Sequence, residues 1–149
     1  MTAAICVTTL SSCTKGETDF VPSIDPPPTV ATFSCKTDSV PWAADSASWT
    51  IQDSKTHIVA YKGAYIKFEI ILSGIVANVY PITQGTNDFI YHPASLSIAT
   101  GTTGTIVISS YNNNTNRLTG SFGPIHTSGT SGVYTITDGF FTTIPKRGR

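Results

Sequence analysis

Apolar and polar positions alternate along most of the chain beyond residue 30. In Ala64–Leu72 one face carries Ile66, Phe68, Ile70 and Leu72, while Lys67 and Glu69 point the other way. That is the pattern of a half-buried strand. Ala47, Trp49 and Ile51 alternate with Ser48, Thr50 and Gln52, and Leu118, Gly120 and Phe122 alternate with Arg117, Thr119 and Ser121. Ile106-Val107-Ile108 is apolar on both faces and predicts a central strand. No segment of this body joins helical periodicity to helix caps. Turns are expected at Ser54-Lys55, Lys62-Gly63, Ser73-Gly74, Gly101-Thr102-Thr103-Gly104 and Asn112–Asn116. Asp138-Gly139 falls inside the last apolar run, as a turn or a bulge. The pattern predicts an all-β domain of about eight to ten short antiparallel strands, either a sandwich or an up-and-down, calycin-like barrel.

Composition narrows the surroundings of that domain. Lys and Arg total 9 and Asp and Glu total 9, so the formal net charge is zero. A neutral chain argues against a nucleic-acid or anionic-membrane surface. Charged residues make up 12% of the chain, about half the usual share. Thr and Ser supply about a quarter of it, so hydroxyl groups must coat much of the surface, as in extracytoplasmic β-proteins.

The first 29 residues carry an address. Ala3, Ala4, Ile5, Cys6, Val7 and Leu10 form a short apolar patch ahead of Leu10-Ser11-Ser12-Cys13, which looks like a bacterial lipobox. Residues 1–12 are then a lipoprotein signal peptide, and Cys13 is the lipidated N-terminus. No Lys or Arg precedes the patch, so either the true start lies upstream or Met1 is internal. No other run approaches the ~18 apolar residues of a membrane-spanning helix, and attachment is expected through the lipid alone. Residues 13–29 read as a tether, because Pro26-Pro27-Pro28 favours extended polyproline geometry. Glu17 and Asp19 resemble the acidic export tags of Bacteroidota surface lipoproteins. Residues 30–145 form the β domain, and 146–149 a basic tail. With Cys6 removed and Cys13 acylated, Cys35 is left alone, and its alternation with Ala31 and Phe33 predicts a buried, inert thiol.

The body also carries a family likeness. Phe33-Ser34-Cys35-Lys36-Thr37-Asp38-Ser39-Val40-Pro41-Trp42-Ala43-Ala44 resembles the "F-x-C-K-V-D-G-x-x-W-x-A" opening of a family of small uncharacterised Bacteroidota lipoproteins. Gly104–Tyr111 is similar to their "G-x-I-x-I-T-x-Y" strand, Leu118–Phe122 to "I-S-G-T-F", and Tyr134–Phe141 to "V-x-I-T-x-G-x-F". The resemblance spans most of residues 31–145. It departs at Ser39, where glycine is expected, and in the tail Lys146-Arg147-Gly148-Arg149. It implies an all-β lipoprotein domain and brings no catalytic residues to transfer.

Candidate chemistry is sparse. His57, His92 and His126 stand in no metal-ligand spacing, so neither a metal nor another cofactor is expected. Asp38 and Asp45 flank Trp42, a placement that a carboxylate-dependent hydrolase could use. Both also stand beside serine in turn-like settings, where Asp bonds local backbone amides. Asn112–Asn116 lacks the carboxylate a calcium loop needs and reads as a hairpin tip, although Asn113-Asn114-Thr115 fits an N-glycosylation sequon. Asp38-Ser39-Val40 and Asp45-Ser46-Ala47 resemble bacterial O-glycosylation acceptors at Ser39 and Ser46. The aromatic side chains remain as binding candidates: Trp42, Trp49, Tyr61, Tyr65, Tyr80, Tyr91, Tyr111 and Tyr134 could line a cavity or stack on a ligand, the first four foremost, with Tyr65 the one expected outside the core. The functional expectation is a lipid-anchored, non-catalytic binding or structural module of the cell envelope. It would be held to the outer membrane through Cys13, with a small apolar ligand, a glycan or an envelope protein as partner. A calycin-like barrel holding such a ligand in its mouth is the first alternative, and the hydrolase is the second.

Overall fold

The computed structural model describes residues 31–148. The twelve strands are β1 (Thr32–Thr37), β2 (Val40–Ala43), β3 (Ser46–Gln52), β4 (Lys55–Lys62), β5 (Tyr65–Leu72) and β6 (Asn78–Pro81). They continue with β7 (Asp88–Tyr91), β8 (Ala99–Thr103), β9 (Thr105–Asn112), β10 (Arg117–Phe122), β11 (Ile125–Gly129) and β12 (Gly132–Pro145). All-β class and antiparallel pairing follow the alternation. There are more strands than the eight to ten expected, and β2, β6 and β7 have only four residues each, too brief for a two-residue period to stand out.

Two hairpins close on Asp-Ser. Asp38 and Ser39 have φ of 48° and 69°, and Asp53 and Ser54 have 50° and 62°. Left-handed backbone at both central residues matches the twist of the flanking strands, and Asp tolerates it better than most residues. The serine at position 39 therefore occupies a left-handed position that glycine would fill more easily.

The strands form one sheet in the order β3-β4-β5-β7-β8-β11-β12-β10-β9-β6, with β1 on the other flank of β12 and β2 beyond it. The long β12 is the spine. Its first half pairs with β11 and its second with β10, while β1 follows it on the opposite side. Asp138, at φ 52°, makes the bulge where the pairing with β1 shifts register. The run Gly101–Gly104, expected as a turn, is mostly strand: Gly101 to Thr103 belong to β8. Gly101 is there for close approach, because a Cβ would meet Phe89 Cβ at 3.1 Å.

The sheet curls onto itself. Trp49 of β3 bridges in parallel to Lys146, and Arg147 N–H donates to Trp49 C=O at 2.7 Å. Phe33 and Phe68 lie on strands far apart in the sheet order, yet their rings stack at 5.9 Å. Phe89, Phe122 and Phe141 complete this aromatic centre. Its rings fill the interior, so the middle of the barrel is packed with side chains. Cys35 joins that core at 4% exposure.

Candidate functional site

One end of the barrel stays open. There β1 ends, β2 begins, β4 ends, β5 begins, β7 ends and β12 begins. The result is a cleft of about 760 Å³ whose lining includes Trp42, Tyr65, Lys67, Tyr91, His92 and Tyr134. A cleft of that size is ordinary for a small-ligand site.

The aromatic side of the cleft is ordered by edge and face contacts. Tyr91 stacks on the buried Phe68 with centroids 4.9 Å apart and meets the edge of Tyr134 at 5.1 Å. Trp42 approaches Phe68 edge-on at 4.8 Å and Phe33 at 6.2 Å. These geometries suit ring quadrupoles, and they hold Tyr91, Tyr134 and Trp42 in fixed orientations. Trp42 remains half-buried, and its indole N–H has no protein hydrogen-bond partner among the described residues. Tyr65 is 66% exposed at the rim, with Val40 at 66% beside the same opening.

Polar groups are distributed along one wall. Lys67 Nζ donates to Pro93 C=O at 2.7 Å and lies 5.2 Å from the centroid of the Tyr91 ring. Burial holds its ammonium below the usual lysine range. Burial also pushes the Tyr91 phenol up; the nearby Thr37 hydroxyl opposes that rise, although its oxygen makes no well-formed hydrogen bond. Glu69 Oε1 and His92 Nε2 sit 3.1 Å apart behind Lys67.

The carboxylates beside Trp42 are engaged with backbone. Asp38 Oδ1 accepts from Thr135 N–H at 2.8 Å, and Asp38 N–H donates to Thr135 C=O at 2.9 Å. Asp45 Oδ2 accepts from Gly63 N–H at 2.6 Å, and its Oδ1 takes Lys62 Nζ at 3.0 Å. The Gly63 amide, and then Lys62, hold the Asp45 carboxyl below its ordinary value. Both acids thus tie a turn to its neighbouring strand. Among the described residues no three His, Cys, Asp or Glu side chains gather as a metal site. His57 sits in β4, and His126 Nδ1 is 3.3 Å from Thr135 Oγ1.

The structure divides the residues singled out from the sequence. Trp42 and Tyr65 come together at the open rim. Trp49 is 1% exposed at the seam of the barrel. Its indole N–H donates to Asn116 C=O at 3.2 Å, the Tyr111 ring meets it edge-on at 5.5 Å and Lys146 Nζ is 5.3 Å from its centroid. Tyr61 Oη accepts from Arg147 at 3.1 Å beside a shallow depression lined by Ser46 and Ala47. Ser39 and Ser46 are exposed, the first at a hairpin tip. Cys13, the lipobox and the tether lie outside the described residues. Tyr91 and Tyr134, from the wider aromatic set, join Trp42 and Tyr65 in the cleft, while sequence reasoning missed Lys67 and His92. Alternation placed Lys67 on a solvent face, but the β4–β5 register slips there: Ala60 pairs with Phe68 and Tyr61 with Ile66, so Lys67 is the bulged residue at the edge of the cleft. The signal for Tyr91-His92-Pro93 was a strand ending in an aromatic residue before a proline break.

Comparison with curated proteins yields no match, and comparison with solved structures yields none. The family model described as "Domain of unknown function (DUF6252)" matches residues 29–145, most of the chain, and the protein belongs to that family.

Proposed function

We propose that this domain is a non-catalytic binding module of the bacterial cell envelope, and that it receives a small, flat-faced ligand in the aromatic mouth of the barrel. The observation that carries this reading is the cleft of about 760 Å³ with Trp42, Tyr91 and Tyr134 held on its inner side by the packed aromatic core. The filled interior leaves no central calyx, which supports the mouth as the place for a ligand. Asp38 and Asp45 are occupied by backbone amides, which favours binding over carboxylate chemistry. The lipobox at Leu10–Cys13 and the proline-rich segment after it support a lipid-anchored position at the outer membrane.

N-Phenyl-1-naphthylamine, a neutral dye that brightens in apolar sites, tests the mouth directly. The dye is expected to bind the wild-type domain, and Trp42→Ala to weaken it by about tenfold or more, the loss typical of a central aromatic anchor. Dye binding unchanged in a folded Trp42→Ala variant would place the ligand elsewhere. Anchoring has its own test. Metabolic palmitate labelling is expected in the wild type and lost in Cys13→Ser; labelling that survives the substitution removes the lipid from the reading.

A further inference from the structure

The charge balance of the mouth points to the kind of ligand, and the inference rests on the binding reading above. Two ammonium groups line the cleft, Lys62 and Lys67. Lys62 is compensated: it donates to Asp45 Oδ1 at 3.0 Å and to Ala43 C=O at 3.1 Å. Lys67 is not. Its single protein acceptor is the Pro93 carbonyl at 2.7 Å, and among the described residues no carboxylate lies within ion-pair distance of it. An ammonium has three donors, so two point away from Pro93 toward water or a ligand.

The acids around the cleft keep their charge but are directed at other partners, and among the described residues none lies within 4.0 Å of Lys67 Nζ. Glu69, next on the same face of β5, pairs with His92 at 3.1 Å. Asp38, across the cleft, accepts the Thr135 amide at 2.8 Å. Lys67 is half-buried against Tyr91, and a partly desolvated cation without a counter-ion gains most when an anion arrives. The Pro93 carbonyl and the Tyr91 ring fix the ammonium from two sides, so little ordering is left to occur on binding.

We propose that the mouth recognises a ligand joining a flat apolar face to a carboxylate, the face lying against Trp42, Tyr91 and Tyr134 and the carboxylate against Lys67. Aryl carboxylates and uronate sugars share this chemistry.

Matched ligands that differ in charge alone test it. 2-Naphthoate and 2-naphthamide are titrated against the wild-type domain carrying N-phenyl-1-naphthylamine, with calorimetry as a second readout. The acid is expected to displace the dye at roughly tenfold lower concentration than the amide, the scale of one charge-assisted contact. Lys67→Met should bring the acid to the level of the amide. Lys67→Arg should retain the preference, and Lys62→Met should not alter it. Equal affinity of acid and amide for the wild type, each displacing the dye, overturns the anion assignment and leaves the binding reading standing. This comparison needs no variant to fold. Absence of any dye binding overturns both. The same contrast between methyl β-glucuronoside and methyl β-glucoside, read by saturation-transfer NMR, separates the sources. A preference in the sugar pair assigns acidic glycans, and one confined to naphthoate assigns aryl acids.

Discussion

Trp42 and Trp49 stand on strands adjacent in sequence, and the molecule uses them oppositely. At the seam, Trp49 satisfies every part of its ring system: Asn116 takes the N–H, Tyr111 covers the edge, Lys146 lies over the face, and only 1% of the residue reaches solvent. At the mouth, Trp42 is braced on one side by Phe33 and Phe68 and left half-buried on the other. The same amphipathic side chain is a closure in one place and a surface in the other. What separates them is the neighbour available for the indole N–H and for the outer face. At the seam the returning basic tail supplies Lys146 for the face and the β9–β10 turn supplies the Asn116 carbonyl for the N–H. At the mouth the β1–β2 hairpin ends, and the Trp42 indole N–H meets no protein acceptor among the described residues.

The largest expected difference is in stability. Trp49→Ala removes a fully buried aromatic and one of the two donors to the Asn116 carbonyl, which keeps the Lys146 amide, a loss of about 3–5 kcal/mol by the usual cost of such cavities. Urea unfolding should show a large drop in midpoint. Trp42→Ala removes a ring with one solvated face and should cost only about 1–2 kcal/mol while weakening the dye. If the two substitutions destabilise equally, the mouth is part of the core and the contrast fails.

Cys35 gives a sharper view of the mouth side, because it pairs across the β1–β2 ladder with Trp42. Burial pushes its thiol up to about 12 from 9.0, with the Thr37 hydroxyl opposing weakly. The fold thus prefers the neutral thiol. Its contribution to stability is fully present below about pH 9 and is lost as pH rises toward about 12. The thiolate is the reactive form, so iodoacetamide at pH 8 should modify the folded protein roughly a thousandfold more slowly than the urea-unfolded chain. Trp42→Ala should speed the folded reaction by opening the base of the cleft, and Trp49→Ala, in molecules that remain folded, should not. Rapid modification of the folded wild type would contradict the buried thiol.

The difference between seam and mouth was only partly legible in the chain. Alternation in Tyr65–Leu72 locates a strand and its core face, and in the fold Phe68, Ile70 and Leu72 are fully buried. Alternation sets Trp49 on one face with Ala47 and Ile51 and gives Trp42, between Pro41 and Ala43, no pattern at all, but it does not reveal what closes over either ring. Their fates depend on Lys146, Asn116 and Tyr111 reaching Trp49 from far along the chain. Tyr91 and Tyr134 meet only because β12, β11, β8 and β7 lie side by side, an order that local periodicity does not encode. Gly101 to Thr103 looked like a turn since glycine is the usual turn residue. In the fold, Gly101 instead gives Phe89 room to pack against a strand backbone. Lys67 was misread for a related reason: a polar position on an alternating strand is solvent-facing only where the register holds, and at Lys67 it slips.

The smallest expected effect isolates the last contact of the seam. Lys146 is exposed, with its ammonium 5.3 Å from the centroid of the Trp49 ring, and an exposed cation–π contact is worth roughly 0.5–1 kcal/mol. Lys146→Gln keeps the backbone that bridges to Trp49, including the Lys146 amide bonded to Asn116 C=O at 3.1 Å. It should therefore lower the urea midpoint slightly and leave dye binding at the mouth unchanged. Deleting residues 146–149 removes that backbone as well and should cost several times more. If Lys146→Gln alone matched the deletion, the side chain and not the returning strand would hold the seam, and Trp49 would be closed by charge where we find it closed by backbone pairing.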